Sequence, residues 1–117
     1  MNYQHRRLAS GEWFKLGLAE QLANVGSEVE RAILWRDKNK EYSRKAFCRA
    51  LELLELTLSD NKNRRYSRLK ELSRLKEVLI DFFYFDNRFS SSDELFRRYF
   101  YAFSYAARQT VNNFKKF

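Results

Sequence analysis

Apolar residues recur along this chain at spacings of three and four, in four stretches separated by short polar breaks. In the first, residues 10–36, Phe14, Leu18, Leu22, Val25, Val29, Ala32 and Ile33 fall on one arc at about 100° per residue. Ser10 stands where an N-cap is expected, and Glu12 follows it with a charge favourable to the helix dipole. Asp37-Lys38-Asn39-Lys40 then breaks the pattern. In the second stretch, residues 41–59, Tyr42, Ala46, Phe47, Ala50, Leu51, Leu53, Leu54 and Leu58 form the apolar arc. Lys45, Cys48, Glu52, Glu55 and Ser59 lie opposite, and Asp60-Asn61-Lys62-Asn63 ends the run. The third, residues 64–85, aligns Leu69, Leu72, Leu75, Leu79, Ile80 and Phe83. After "DNRFSSS", Ser91 and Glu94 have capping-box spacing. They open a fourth helix over residues 91–112, with Leu95, Phe96, Tyr99, Phe100, Phe103, Ala106 and Ala107 inward.

Four amphipathic segments joined by short breaks predict an all-α fold, an antiparallel up-down-up-down four-helix bundle. The arcs are broad, as in a globular bundle and unlike a narrow coiled-coil seam. Composition agrees. There is no proline and only three glycines, too few for a turn-rich β fold. At 117 residues the chain has room for one domain, residues 10–117, behind a mobile segment 1–9.

Charge adds a direction. The net charge is +8, and residues 61–85 carry +4 of it and residues 86–117 carry +3. The C-terminal half therefore favours acidic partners: nucleic acid, an acidic protein or an anionic membrane surface, among which the charge alone does not choose. The densest tract is "NKNRRYSRLKELSRLK", residues 61–76, with Arg64, Arg65, Arg68, Lys70, Arg74 and Lys76 against a single acid. Cations at a helix start oppose the macrodipole, which makes a bound anion or an acidic neighbour more attractive.

The stretch "RRYFYAFSYAAR", residues 97–108, divides on a helical wheel. Tyr99, Phe100, Phe103, Ala106 and Ala107 face the core, while Arg97, Tyr101, Tyr105 and Arg108 form a ridge on the other side. Such a ridge suits an oligomer interface, a solvated face with snorkelling arginines, or a surface that stacks bases and pairs phosphates. The nucleic-acid reading takes Arg64, Arg65, Arg68, Arg97, Tyr101, Tyr105 and Arg108 as its surface.

The first helix presents another candidate. Trp13 and Trp35 flank a polar stripe of Glu20, Asn24, Ser27, Glu28 and Arg31, beside Leu16 and Leu34. Ala19, Ala23 and Gly26, spaced four and three, offer an edge where a second backbone could approach closely. A bundle rarely leaves two tryptophans outside. The expected protein interface is therefore Trp13, Ala19, Ala23, Asn24, Gly26, Ser27, Arg31 and Trp35, in a homodimer. The competing reading is a central helix covered on both sides by its own neighbours.

The catalogue of chemistry is short. His5 is the only histidine and Cys48 the only cysteine. A Ser-His-Asp or Cys-His arrangement, a zinc site and a Glu-x-x-His di-iron site lack their residues. There is no glycine-rich phosphate loop. Neither a cofactor nor a small-molecule ligand is expected, and catalysis is disfavoured. The first residues carry no apolar signal region, and no run is long enough to span a membrane. A single cysteine suits a reducing cytoplasm.

"GEWFKLGLAEQLANVGSEVERAILW", "AFCRALELLELTL", "RLKELSRLKEVLIDFF" and "SSDELFRRYFYAF" resemble a family of small all-helical prokaryotic proteins with no assigned activity. The resemblance covers most of the chain and implies a bacterial or archaeal cytoplasmic protein. At fold level the architecture is also similar to the HEPN bundles, some of which are RNases and some partner subunits of small nucleotidyltransferases. The catalytic HEPN pattern Arg-x4-His is missing, because no residue lies five positions before His5.

Overall fold

The computed structural model describes residues 11–115, with side chains through Gln109. The expected mobile segment 1–9 and the Ser10 cap lie outside the described residues. Among those residues there are four α-helices and no strand. They are α1 (Leu18–Trp35), α2 (Lys40–Ser59), α3 (Tyr66–Tyr84) and α4 (Asp93–Lys115). Short 3₁₀ turns occupy Glu12–Lys15 and Asn61–Asn63.

The first helix begins at Leu18 and not near Ser10. Gly11 takes a positive φ of 127°, which other residues rarely adopt, and Gly17 is extended at φ −72°, ψ 166°. Between them the chain folds back as a turn and buries Trp13, while Phe14 of the expected arc stays partly exposed. The second helix is capped by Asn39, whose side chain accepts from the Tyr42 N–H at 3.0 Å. The fourth helix opens at Asp93, one step beyond the expected capping box. Ser92 Oγ accepts from the Leu95 N–H at 3.2 Å, and Ser91 is instead held by Asn87, through both its N–H and its carbonyl. Glu94 turns to Arg98 at 2.8 Å.

α1 is the central element, making its close approaches to α2 on one flank and α4 on the other. Leu22, Val25, Val29, Ala32 and Ile33 are its buried side, close to the expected arc. They meet Ala46, Phe47, Ala50, Leu53 and Leu54 of α2 and Phe96 and Phe100 of α4 in one core, which Leu72, Leu75 and Leu79 of α3 complete. Burying each valine, leucine, isoleucine or phenylalanine among them contributes about 1.5–3 kcal/mol. Where α1 meets α2, small residues let the backbones close in, and Ser43 Oγ donates to the Ala32 carbonyl at 2.6 Å. α3 is held to α2 by the Phe47–Phe83 ring contact at 4.8 Å and the Lys76–Glu55 ion pair. It meets α4 through Phe82 and Phe96, ring to ring at 5.1 Å.

The tightest point is Gly26. A Cβ built there would lie 2.6 Å from Phe100 Cβ and 2.7 Å from Phe100 Cγ. These are the stiff, inner atoms of the phenylalanine, so α4 itself would have to move. Replacing a helical glycine by alanine normally gains about 1 kcal/mol of helix propensity. Overpacking of about 1–3 kcal/mol outweighs that gain here. We expect Gly26→Ala to lower the urea midpoint, a net loss of about 1–2 kcal/mol. A midpoint equal to or above that of the wild type would contradict the close α1–α4 packing.

Candidate functional site

Buried polar residues first separate what builds the fold from what is free to act. Gln21 falls within the apolar arc of α1 and Thr57 within that of α2, and both are fully buried. The Trp13 indole N–H donates to Thr57 Oγ1 at 3.2 Å. Gln21 Nε2 donates to the Trp13 carbonyl at 3.2 Å and to Asp60 Oδ2 at 2.8 Å, while its Oε1 accepts from Asn63 Nδ2 at 2.9 Å. Asn63 also donates to the Thr57 carbonyl at 3.0 Å. Lys62 reaches the Phe14 carbonyl at 3.0 Å and pairs with Asp60. Tryptophan, glutamine, threonine, aspartate and asparagine thus latch the N-terminal turn to the α2–α3 connection. Every polar group named is satisfied, so the cluster holds the fold together and leaves nothing aimed at a ligand.

A second buried group is Glu28. Its Oε1 accepts from Arg31 at 2.7 Å and its Oε2 from Arg49 of α2 at 3.1 Å. Glu28 was expected in the outer polar stripe of α1, but it turns inward and ties α1 to α2.

The expected interface residues therefore separate. Trp13 is 1% exposed and belongs to the core. Its outward placement is corrected, because the glycine-flanked turn carries it inside. Gly26 is covered by Phe100 of the same chain. Trp35 sits at the α1–α2 corner against Tyr42, ring centroids 4.9 Å apart. Ala19 and Ala23 are half-buried, and Asn24, Ser27 and Arg31 are exposed. Asn24 and Ser27 donate back to the carbonyls of Glu20 and Ala23, at 2.8 and 3.2 Å, so neither needs a partner chain. Leu34 remains as an apolar residue 51% exposed on α1.

The ridge on α4 is outward, with Tyr101 62% and Tyr105 52% exposed. Arg97 is bound to both carboxylate oxygens of Glu30 at 3.1 and 2.9 Å, and this pairing raises its pKa. The Arg108 guanidinium lies 5.9 Å from the Tyr101 ring centre. Between α1 and α4 runs an open cleft of about 540 Å³. Gly26, Ser27 and Arg31 line one wall, and Arg97 and Tyr101 the other. Two sets of residues that sequence spacing treats as separate surfaces meet there.

The expected nucleic-acid surface is split by α4. Arg97 faces α1 through Glu30, whereas Arg68 pairs with Glu71 at 2.9 Å on the α3 side. The Tyr99 hydroxyl is buried on that same side without a hydrogen-bond partner. Burial, then the nearby Glu71 charge, pushes its pKa upward. Arg64 and Arg65 are exposed at the start of α3.

Among the described residues no group of three His, Cys, Asp or Glu side chains is placed to hold a metal ion. No described helix is long and apolar enough to cross a membrane. The chain matches no family model, no curated protein and no solved structure.

The latch generates a pH prediction. Burial raises the Asp60 pKa, but hydrogen bonds from Lys62 and Gln21 outweigh it and leave the carboxyl below its ordinary value. A carboxylate held low when folded stabilises above its unfolded pKa of about 3.9. That stability is lost as pH falls through the folded value. Asp60→Asn should therefore be less stable than the wild type at pH 7, by about 1–3 kcal/mol, because Lys62 loses its partner. Below about pH 4 the gap between the two proteins should narrow. Urea titrations at several pH values measure it, and a gap independent of pH would remove Asp60 from the ledger.

Proposed function

We propose that this chain is a non-enzymatic helical interaction module that self-associates through the face shared by α1 and α4. One observation carries the reading. The face bearing exposed Tyr101 and Tyr105, with exposed Leu34 on α1, is also where two arginines are already paired with acids, Arg97 with Glu30 and Arg31 with Glu28, while Arg108 lies over the Tyr101 ring. A two-fold dimer sets a patch against its own copy. A chain of net charge +8 tolerates this best where part of the positive charge is already compensated within the chain. Tyrosine and arginine around a cleft are also the residue types that anchor protein interfaces. The same charge matching weakens a phosphate-binding role for this face.

The order of the interhelix contacts supports an antiparallel up-down bundle as the scaffold. Gly26, Glu30 and Arg36 meet Phe100, Arg97 and Asp93, so one helix descends as the other ascends. Glu28 meets Arg49 and Ala32 meets Ser43 in the same sense. The lone exposed cysteine, Cys48, is consistent with a reducing compartment such as the cytoplasm.

Light scattering after gel filtration should return twice the chain mass of 14.2 kDa. The dimer should persist at about 0.5 M salt, since salt screens the repulsion between like-charged copies and leaves the tyrosine contacts in place. The Tyr101→Glu/Tyr105→Glu double variant should run at the monomer mass with unchanged helical content and melting. A wild-type monomer, or a double variant that stays dimeric, would remove the proposal.

A further inference from the structure

The strongest feature outside the α1–α4 face is the outer side of α3. Tyr66 is 81% exposed, the highest among the large hydrophobic side chains exposed in the described part of the chain. Its ring forgoes more burial than the other exposed aromatics do, Phe85 at 71% and Tyr101 at 62% coming next. Arg64 and Arg65 precede it, and Lys70 follows one turn later on the same face. All three cations are exposed, and among the described residues none has an acidic partner within ion-pair distance.

This sets them apart from the other cations of the tract. Arg68 is neutralised by Glu71 at 2.9 Å, and Lys76 by Glu55. Arg74 is 3.9 Å from Glu77 and lies over the Phe89 ring at 4.2 Å. Charge matching within the fold thus leaves a cluster of +3 beside one bare tyrosine. Ser67 and Ser73 share the shallow groove that Tyr66 and Lys70 line, together with Glu71 and Glu77, whose carboxylates face Arg68 and Arg74. From Tyr66 to Arg74 the face runs about 12 Å along the helix at the usual rise.

An acidic protein would satisfy the charges, but hot-spot tyrosines of protein interfaces sit in packed, desolvated pockets, and the groove here is shallow and open. A single strand of nucleic acid uses both, because phosphates take the cations and a base takes the ring. We propose that the outer face of α3 binds single-stranded nucleic acid, with Tyr66 stacking on a base and Arg64, Arg65 and Lys70 pairing the backbone phosphates. This surface lies across α4 from the Arg97–Glu30 side, so the proposal stands independently of self-association.

The test is fluorescence anisotropy of the full chain with a labelled mixed-sequence RNA of about twelve nucleotides, a length within the site size of known single-strand binders. Three phosphate contacts predict a slope of log affinity against log salt near −2, or a loss of about 20-fold between 50 and 200 mM salt. The Arg64→Ala/Arg65→Ala/Lys70→Ala variant should flatten that slope. Tyr66→Ala should weaken binding by about 5- to 150-fold, the range expected for one lost base stack, while Tyr66→Phe binds like the wild type. These side chains are exposed, so the fold is not at risk. The Tyr101→Glu/Tyr105→Glu variant should bind RNA as the wild type does, whatever its mass, which separates this outcome from that of the dimer. Wild-type affinity in Tyr66→Ala would overturn the proposal, as would displacement of the RNA by polyglutamate of equal charge, which would make the patch a site for acidic protein. Undetectable binding at 50 mM salt would overturn it outright.

Discussion

With no Cβ at position 26, α4 lies against α1 closely enough that the inner atoms of Phe100 fill the space where a side chain would begin. That approach determines much else. It seats Phe96 and Phe100 in the core, brings Arg97 onto Glu30 and Arg36 onto Asp93, and leaves Tyr101 and Tyr105 outward. α2 packs on the opposite flank of α1 through small residues and the Ser43 hydroxyl. α1 is consequently a central helix with one narrow outer strip.

Polar residues inside this protein serve it in two ways. The Trp13–Gln21–Thr57–Asp60–Asn63 latch and the Glu28 clamp are complete in themselves and join segments distant in sequence. Leaving any of these groups unmatched in a dry interior would cost more than the bond contributes, so such clusters hold one arrangement against alternatives. Outside, ion pairs sort the surface. They pair Arg97 and Arg31 on the α1–α4 face and leave Arg64 and Arg65, just before α3, and Lys70 on it uncompensated. A strongly basic composition is thereby divided between a face with paired arginines and a face whose cations have no acid beside them.

Several features were legible in the order of residues. The apolar arcs of α1, α2 and α3 correspond closely to the buried residues, because helical periodicity is a local property. The outward ridge of Tyr101 and Tyr105 was equally readable. Trp13 was not, since a helical wheel assumes that the helix continues, and Gly11 and Gly17 interrupt it. Their proximity was the available signal. Gln21 and Thr57 also carried one, as polar residues lying inside apolar arcs. Asp60-Asn61-Lys62-Asn63 read as a solvated break, yet Asp60 and Asn63 are buried there. Tyr66 sat unmarked within the basic tract, since exposure of a residue at a helix start depends on what packs beside it.

The sequence by itself determined the number of helices, most of the inward positions of α1, α2 and α3 and the excess of positive charge, because each is a sum over residues or a repeat along one segment; on α4, Leu95 and Ala106 of the expected inward arc are exposed. Only the tertiary structure decided which helix is central, which glycine is a contact and which arginines remain free. Those outcomes depend on pairs far apart in the chain. Gly26 meets Phe100 and Glu30 meets Arg97, and no periodicity within either helix encodes the distance between them.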